Sequence, residues 1–136
     1  MVTRKTPYVV DRAPVFSWYR DHAGLIYTSG HAAVDIDSLH IERGDLLSET
    51  RATLTNLRRT LEAAGSSLSQ VLKVTVYLTD MSQYNAFNSV YAQFFPSARP
   101  PARTCVEVTR LPFNFKVEVE VIAACGQEKN SASVSR

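Results

Sequence analysis

Two runs of strict alternation lie close together towards the C-terminus, and they constrain the fold more than any other feature of the chain. From Thr104 to Arg110, Val106 and Val108 alternate with Cys105, Glu107 and Thr109. From Phe115 to Ala123, Phe115, Val117, Val119 and Val121 alternate with Lys116, Glu118 and Glu120. A period of two marks strands with one apolar face. The link Leu111-Pro112-Phe113-Asn114 is short enough for an antiparallel hairpin, which would set Glu118 near Glu107 and Cys105 near Glu120. Like charges facing each other across a hairpin cost roughly a few tenths of a kcal/mol, and Arg103 or Lys116 would relieve them. By pattern alone this is a solvated sheet face. It is also where an arginine, a cysteine and several carboxylates gather in an otherwise plain chain.

Such strands need a cover, and the chain supplies helices. Leu46 to Ala64 predicts an amphipathic helix, with Leu47, Thr50, Leu54, Leu57 and Leu61 at three- and four-residue steps. Glu49, Arg51, Arg58, Arg59 and Glu62 fall on its polar side, and Gly65 is placed to cap its end. Val71 to Thr79 predicts a strand in which Leu72, Val74, Val76 and Leu78 face one way. A second helix starts at Asp80-Met81-Ser82 and runs to about Phe95. Its aromatic stripe of Tyr84, Phe87, Tyr91 and Phe94-Phe95 reads as core, and Pro96, Pro100 and Pro101 end it. Nearer the N-terminus, Phe16 to Arg20 and Leu25 to Ser29 read as strands around the turn Asp21-His22-Ala23-Gly24. Residues 31 to 44 read as an irregular connection.

The order β-β-α-β-α-β-β describes an α+β domain with two helices on one face of a mainly antiparallel sheet. The other face, carrying Thr75, Tyr77, Cys105, Glu107, Glu118 and Glu120, must then meet water or a partner. Residues 1–12 read as an N-terminal arm, 13–125 as the domain, and 126–136 as a polar, Ser-rich disordered tail.

The length of 136 residues allows one domain, with a core small enough for oligomerisation to help. A formal charge of +2 is too small to argue for nucleic acid or an anionic membrane surface. No apolar run approaches the roughly 20 residues that span a bilayer, and the first residues lack the apolar core of a secretory signal. Cys105 and Cys125 make no disulfide framework. They read as free thiols in a reducing compartment, hence a cytoplasmic protein. No CxxC or His/Cys clustering suggests a metal site.

The run Pro101-Ala102-Arg103-Thr104-Cys105-Val106-Glu107-Val108, then Leu111-Pro112, then Val117-Glu118-Val119-Glu120 with Ile122-Ala123, resembles the C-terminal signature of the Rid (YjgF-type) enamine/imine deaminases. The resemblance extends to Gly24-Leu25-Ile26-Tyr27-Thr28-Ser29-Gly30, to Thr53–Leu57 with Leu61–Gly65, to Val74–Leu78 and to Asn88–Phe95. Together these pieces cover about residues 13 to 125. It implies a chorismate-mutase-like homotrimer whose sheets form a central barrel, with a pocket at each subunit interface. It also implies hydrolytic deamination of a small carboxylated enamine or imine to the 2-oxo acid and ammonia, without metal or organic cofactor.

By the same resemblance, Arg103 anchors the substrate carboxylate, a task suited to its bidentate fork. Glu118 positions water or relays a proton, and Glu120 is structural. Cys105, Ser29 and Asn88 line or support the pocket. For Asn88, an ordinary helix-surface amide is an equal reading. Cys105 reads as wall, because no histidine partner for a nucleophilic thiol is evident.

Two positions depart from the family pattern. Phe16 stands where a tyrosine is usual, and His31 where a glutamine usually follows Ser-Gly. Both fall at the substrate-binding end of the resemblance. They motivate a pathway-specific enzyme acting on a larger intermediate as an alternative. His31 either packs at the strand end or enters the pocket, where it could exchange protons near neutral pH. A non-catalytic ligand-binding or chaperone-like trimer is a further alternative, against which the retained Arg103 and Glu118 argue. Nucleic-acid cleavage, also proposed within the family, is disfavoured by the near-neutral charge and the lack of an aromatic-basic strip.

Overall fold

The computed structural model describes residues 9–10, 13–96 and 98–126. The expected tail beyond Gly126 and most of the expected arm lie outside the described residues. Within the arm, Val9–Val10 (β1) forms a short antiparallel ladder with Ala13–Pro14 (β2).

The main sheet contains Tyr19–His22 (β3), Leu25–Thr28 (β4), Val71–Leu78 (β5), Ala102–Glu107 (β6) and Val117–Ala124 (β7), in the spatial order β3-β4-β7-β5-β6. Three of its four pairings are antiparallel, and β5 and β6 run parallel. The first strand starts later than expected, so Phe16 precedes it. The β3–β4 reversal turns on Ala23 and Gly24, with φ of 53° and 80°, the left-handed pair that matches strand twist in a two-residue hairpin.

The expected hairpin between β6 and β7 does not form. Strand β5 lies between them, parallel to β6 and antiparallel to β7. A β5–helix–β6 crossover brings the chain to the sheet edge, and a 3₁₀ turn at Pro112–Asn114 helps carry it back to the far side of β5. Burial explains the choice. In β5 and β7, Val74, Val76, Leu78, Val117, Val119 and Ala123 are fully buried, whereas β6 has no fully buried residue. Apolar strands gain from two neighbours, and a polar one is suited to an edge. Glu118 therefore faces Tyr77 rather than Glu107, and Glu120 faces Thr75 rather than Cys105.

Helices α1 (Leu46–Ala63) and α2 (Tyr84–Phe94) cover one face. Asp45 caps α1 by accepting the Ser48 N–H at 2.9 Å, and Gly65, at φ +85°, ends it. Leu46, Leu54, Leu57, Leu61 and Phe87 pack onto Ile26, Val74, Val76, Leu78, Val117, Val119 and Val121.

Three expected side-chain directions are corrected. Leu47 is 42% exposed and Leu46 takes its place in the core. Glu49 is buried rather than on the polar face, and its carboxylate accepts the Lys116 backbone N–H at 2.8 Å. Leu72 is exposed, because the register shifts between Val71 and Lys73 and reverses its direction.

Register also sorts the polar residues by face. Arg103 lies beside Val74 and Cys105 beside Val76, on the helix-covered face. Glu118 lies beside Tyr77 and Glu120 beside Thr75, on the open face. Cys105 and Glu107, expected on the open face, belong to the other. Glu107 accepts the Met81 N–H at 2.7 Å, at the start of the turn leading into α2.

Candidate active site

The carboxylate of Glu118 opens into a cavity of about 280 Å³ lined by Phe16, Trp18, Ser29, Gly30, Ala32, Val34, Pro112, Phe115 and Glu118. Its position follows from the pairing of the segment after β4 with β7. His31 and Val119 exchange backbone hydrogen bonds at 2.8 and 2.9 Å, which lays Gly30 against the neighbouring residue, Glu118. The contact is so close that a Cβ on Gly30 would sit 2.0 Å from Glu118 Oε2. Here glycine makes room for the carboxylate, and no positive φ calls for it. Burial, and secondarily the nearby Glu120 charge, pushes the Glu118 carboxyl above the usual carboxylate range. No hydrogen-bond donor among the described residues reaches it. Glu120 instead accepts the Tyr77 hydroxyl at 3.0 Å.

Arg103 forms a second centre, on the helix-covered face. Its Nη1 donates to Asn88 Oδ1 at 2.8 Å and its Nη2 to the Tyr84 hydroxyl at 2.8 Å. The guanidinium lies over the rings of Tyr91, Tyr84 and Phe87 at 4.7, 5.5 and 5.7 Å. All these partners are neutral. Among the described residues, no carboxylate pairs with Arg103. The α2 stripe expected as core is thus divided: Phe87 is buried, while Tyr84 and Tyr91 clasp the arginine. Cys105 is next but one on the same strand. Burial raises its thiol pKa, with Arg103 opposing, so the neutral thiol dominates near neutral pH and a nucleophilic role finds no support.

Of the seven residues singled out by sequence, Phe16, Ser29 and Glu118 meet at the cavity, and Arg103, Cys105 and Asn88 gather at the second centre. His31 joins neither. It is buried behind the cavity wall, with its ring centroid 5.1 Å from that of Trp18. Its Nδ1 lies 2.8 Å from the Ser29 carbonyl, which can only accept, so Nδ1 carries the proton and Nε2 accepts from Thr60 Oγ1 at 2.8 Å. Burial lowers its pKa to about 4. Of the two places open to it, packing at the strand end or entering the pocket, it takes the first here and does not border the cavity. Both ring nitrogens are occupied, and the residue braces the wall.

Trp18, Ala32, Val34, Pro112 and Phe115 were not anticipated as cavity residues. An alternation pattern separates inward from outward residues but does not say which inward ones border a void. No group of three His, Cys, Asp or Glu side chains among the described residues is placed to hold a metal ion. No helix among the described residues is long and apolar enough to cross a membrane.

Residues 10–125 match the family model described as endoribonuclease L-PSP. The chain belongs to this family, the Rid (YjgF-type) proteins. It is 38% identical over 128 residues to Saccharomyces cerevisiae protein HMF1, a match spanning 91% of this chain and 98% of the yeast protein. It is 37% identical over 105 residues to Escherichia coli TdcF, named as a reactive intermediate deaminase, a match spanning 76% of this chain and 81% of TdcF. The crystal structure of TdcF with bound serine superposes with a TM-score of 0.77 at 31% identity, covering 93% of this chain and all of TdcF. The Yersinia pestis Rid-family protein YyfA superposes with a TM-score of 0.78 at 30% identity, covering 87% of this chain and 91% of YyfA. The family and its deaminase relatives support Rid-type deamination in general terms. The mixed sheet with two helices is the fold these structures share.

Proposed function

We propose that this protein is a hydrolytic deaminase of carboxylated enamines and imines. Water adds to the imine carbon of R–C(=NH)–COO⁻, the C–N bond breaks, and the products are the 2-oxo acid and ammonia. An enamine first takes a proton on carbon to become the imine. The observation that carries the reading is the state of Arg103: a half-buried cation held in place by neutral partners, with no carboxylate among the described residues paired to it. Such a group is prepared for an anionic ligand and fits a carboxylate in a bidentate fork. Glu118 complements it. A carboxyl with a raised pKa exchanges protons nearer neutral pH and can both activate water and return a proton to the leaving nitrogen. The serine held by TdcF carries the α-carboxylate and α-nitrogen that such a substrate would have.

Arg103 and Glu118 leave opposite faces of one sheet, on strands separated by β5. A substrate touching both would take them from two copies of the chain. The reading therefore includes a homotrimer with a pocket at each subunit interface and a small molecule as the partner. RNA cleavage, the activity in the family's description, stays outside it, since a formal charge of +2 gives little attraction for a polyanion.

The test is ammonia release from imines generated in situ, with wild type, Arg103→Ala and Glu118→Gln compared at equal oligomer content. Each variant is expected to lose roughly 100-fold or more in kcat/KM. Unfolding the two inactive variants together and refolding them as mixed trimers should restore about a quarter of wild-type activity, because one interface in four then pairs an intact Arg103 with an intact Glu118. Wild-type activity in either single variant would end the proposal. Absence of recovery on mixing would end the shared-site arrangement.

A further inference from the structure

Arg103 is held by a single face of α2. Tyr84 and Asn88 lie four residues apart on the helix and Tyr91 three residues further, so the three share that face. A guanidinium carries five N–H groups. Asn88 Oδ1 takes one from Nη1 and the Tyr84 hydroxyl takes one from Nη2, each at 2.8 Å. One N–H on each terminal nitrogen is left for a carboxylate fork. The Tyr91 ring, stacked on Phe95 at a centroid distance of 4.5 Å, carries the guanidinium over its face at 4.7 Å. Both hydrogen bonds are made within one chain, so the clamp is complete before a second copy arrives. A carboxylate in place of either acceptor would hold the arginine more tightly still, but it would occupy the charge that the ligand needs.

We infer that Tyr84 is a positioning residue for carboxylate binding: its hydroxyl fixes the rotation in which the Arg103 guanidinium presents its remaining fork, and it works with Asn88 because both are neutral. This rests on the deaminase reading above, which supplies the carboxylate. An arginine left free to rotate must be ordered when the ligand arrives, which weakens binding by roughly threefold to tenfold. Tyr84→Phe keeps the ring, 5.5 Å from the guanidinium carbon, and removes only the acceptor. The carboxylate bears the same charge in the substrate and in the transition state. The anchor therefore binds both alike, and its loosening appears in KM rather than in kcat.

Two assays test this: kcat and KM for the imine of alanine, made in situ by an amino-acid oxidase, and calorimetric titration with pyruvate, its 2-oxo acid product. Tyr84→Phe is expected to raise KM and the pyruvate Kd by roughly threefold to tenfold, with kcat within about twofold of wild type and an unchanged melting temperature. Asn88→Asp, which cancels the charge but still holds the arginine, is expected to weaken both by roughly tenfold or more without lowering the melting temperature. If Tyr84→Phe unfolds, Asn88→Asp decides, because a merely structural clamp would keep its carboxylate affinity with an aspartate in place. If pyruvate binds too weakly to titrate, KM decides. Wild-type KM and pyruvate affinity in Tyr84→Phe, or a fall in kcat alone, would overturn the positioning role and leave the deaminase standing. Full carboxylate affinity in Asn88→Asp would overturn the requirement for neutral partners. Pyruvate binding that weakens in both variants of a protein that hydrolyses no imine would support the clamp and overturn the deaminase. A wild type that neither binds pyruvate nor hydrolyses the imine would overturn both.

Discussion

Replacing Gly30 by alanine separates the site's chemistry from its stability. The added Cβ would sit 2.0 Å from Glu118 Oε2, 2.7 Å from Cδ and 3.0 Å from Cγ. A relaxed carbon–oxygen contact is about 3.3 Å or more, so the carboxylate must move by about 1.3 Å. The backbone does not resist the substitution: the glycines with positive φ are Gly24, Gly65 and Gly126, not Gly30. The colliding atoms are the free end of a side chain, which can swing towards the cavity. Folding stability should therefore change by no more than about 1 kcal/mol. Catalysis should not be so tolerant, since a misplacement of about 1 Å in a reacting group costs on the order of 100-fold. The assay is ammonia release from an in situ imine, read as kcat/KM, beside a thermal denaturation curve. Gly30→Ala in a Glu118→Gln background should lower activity no further, because the group it displaces is already gone. A Gly30→Ala protein with wild-type kcat/KM would refute the placement of Glu118 at the reacting atoms. A large loss of stability would refute the claim that the side chain yields rather than the sheet.

Two further predictions concern groups that support the site. His31 stays neutral in the folded protein down to about pH 4, while in the unfolded chain it takes up a proton near 6.5. Its contribution is complete above pH 6.5 and is lost as the pH falls towards 4, by about 3 kcal/mol in all. His31→Gln should flatten that part of the stability–pH profile in urea denaturation at pH 7 and pH 4.5, and an equal acid loss in both proteins would contradict the assignment. Glu49→Ala should cost about 2–3 kcal/mol in the same assay, because it strands the Lys116 N–H that Glu49 accepts at 2.8 Å. Glu49→Gln, which keeps an acceptor, should cost less.

Much of the fold was legible in the residues. The leucine stripe of α1, the cap at Gly65 and the alternating valines of β5 and β7 are local patterns, each set by the period of the element that carries it. Arg103 and Glu118 were legible as candidates through the ordered motifs around them. Individual directions were less secure. Leu47 and Leu72 turned outwards and Glu49 inwards, because the precise start of a helix and a bulge in a strand shift the phase of everything that follows.

The sequence by itself determined which segments are helices and strands, which sides of most of them are apolar, and which few residues carry chemistry. Only the tertiary structure decided who neighbours whom. Alternation is identical for a hairpin partner and a crossover partner, so nothing local announces that β5 separates β6 from β7. That insertion puts Arg103 and Glu118 on opposite faces, places Glu118 over Gly30, and wraps Arg103 in the rings of α2. The cavity and the bracing role of His31 arise in the same way. They depend on distances between segments far apart in the chain, which are set by the packing of the whole core and by no single stretch of it.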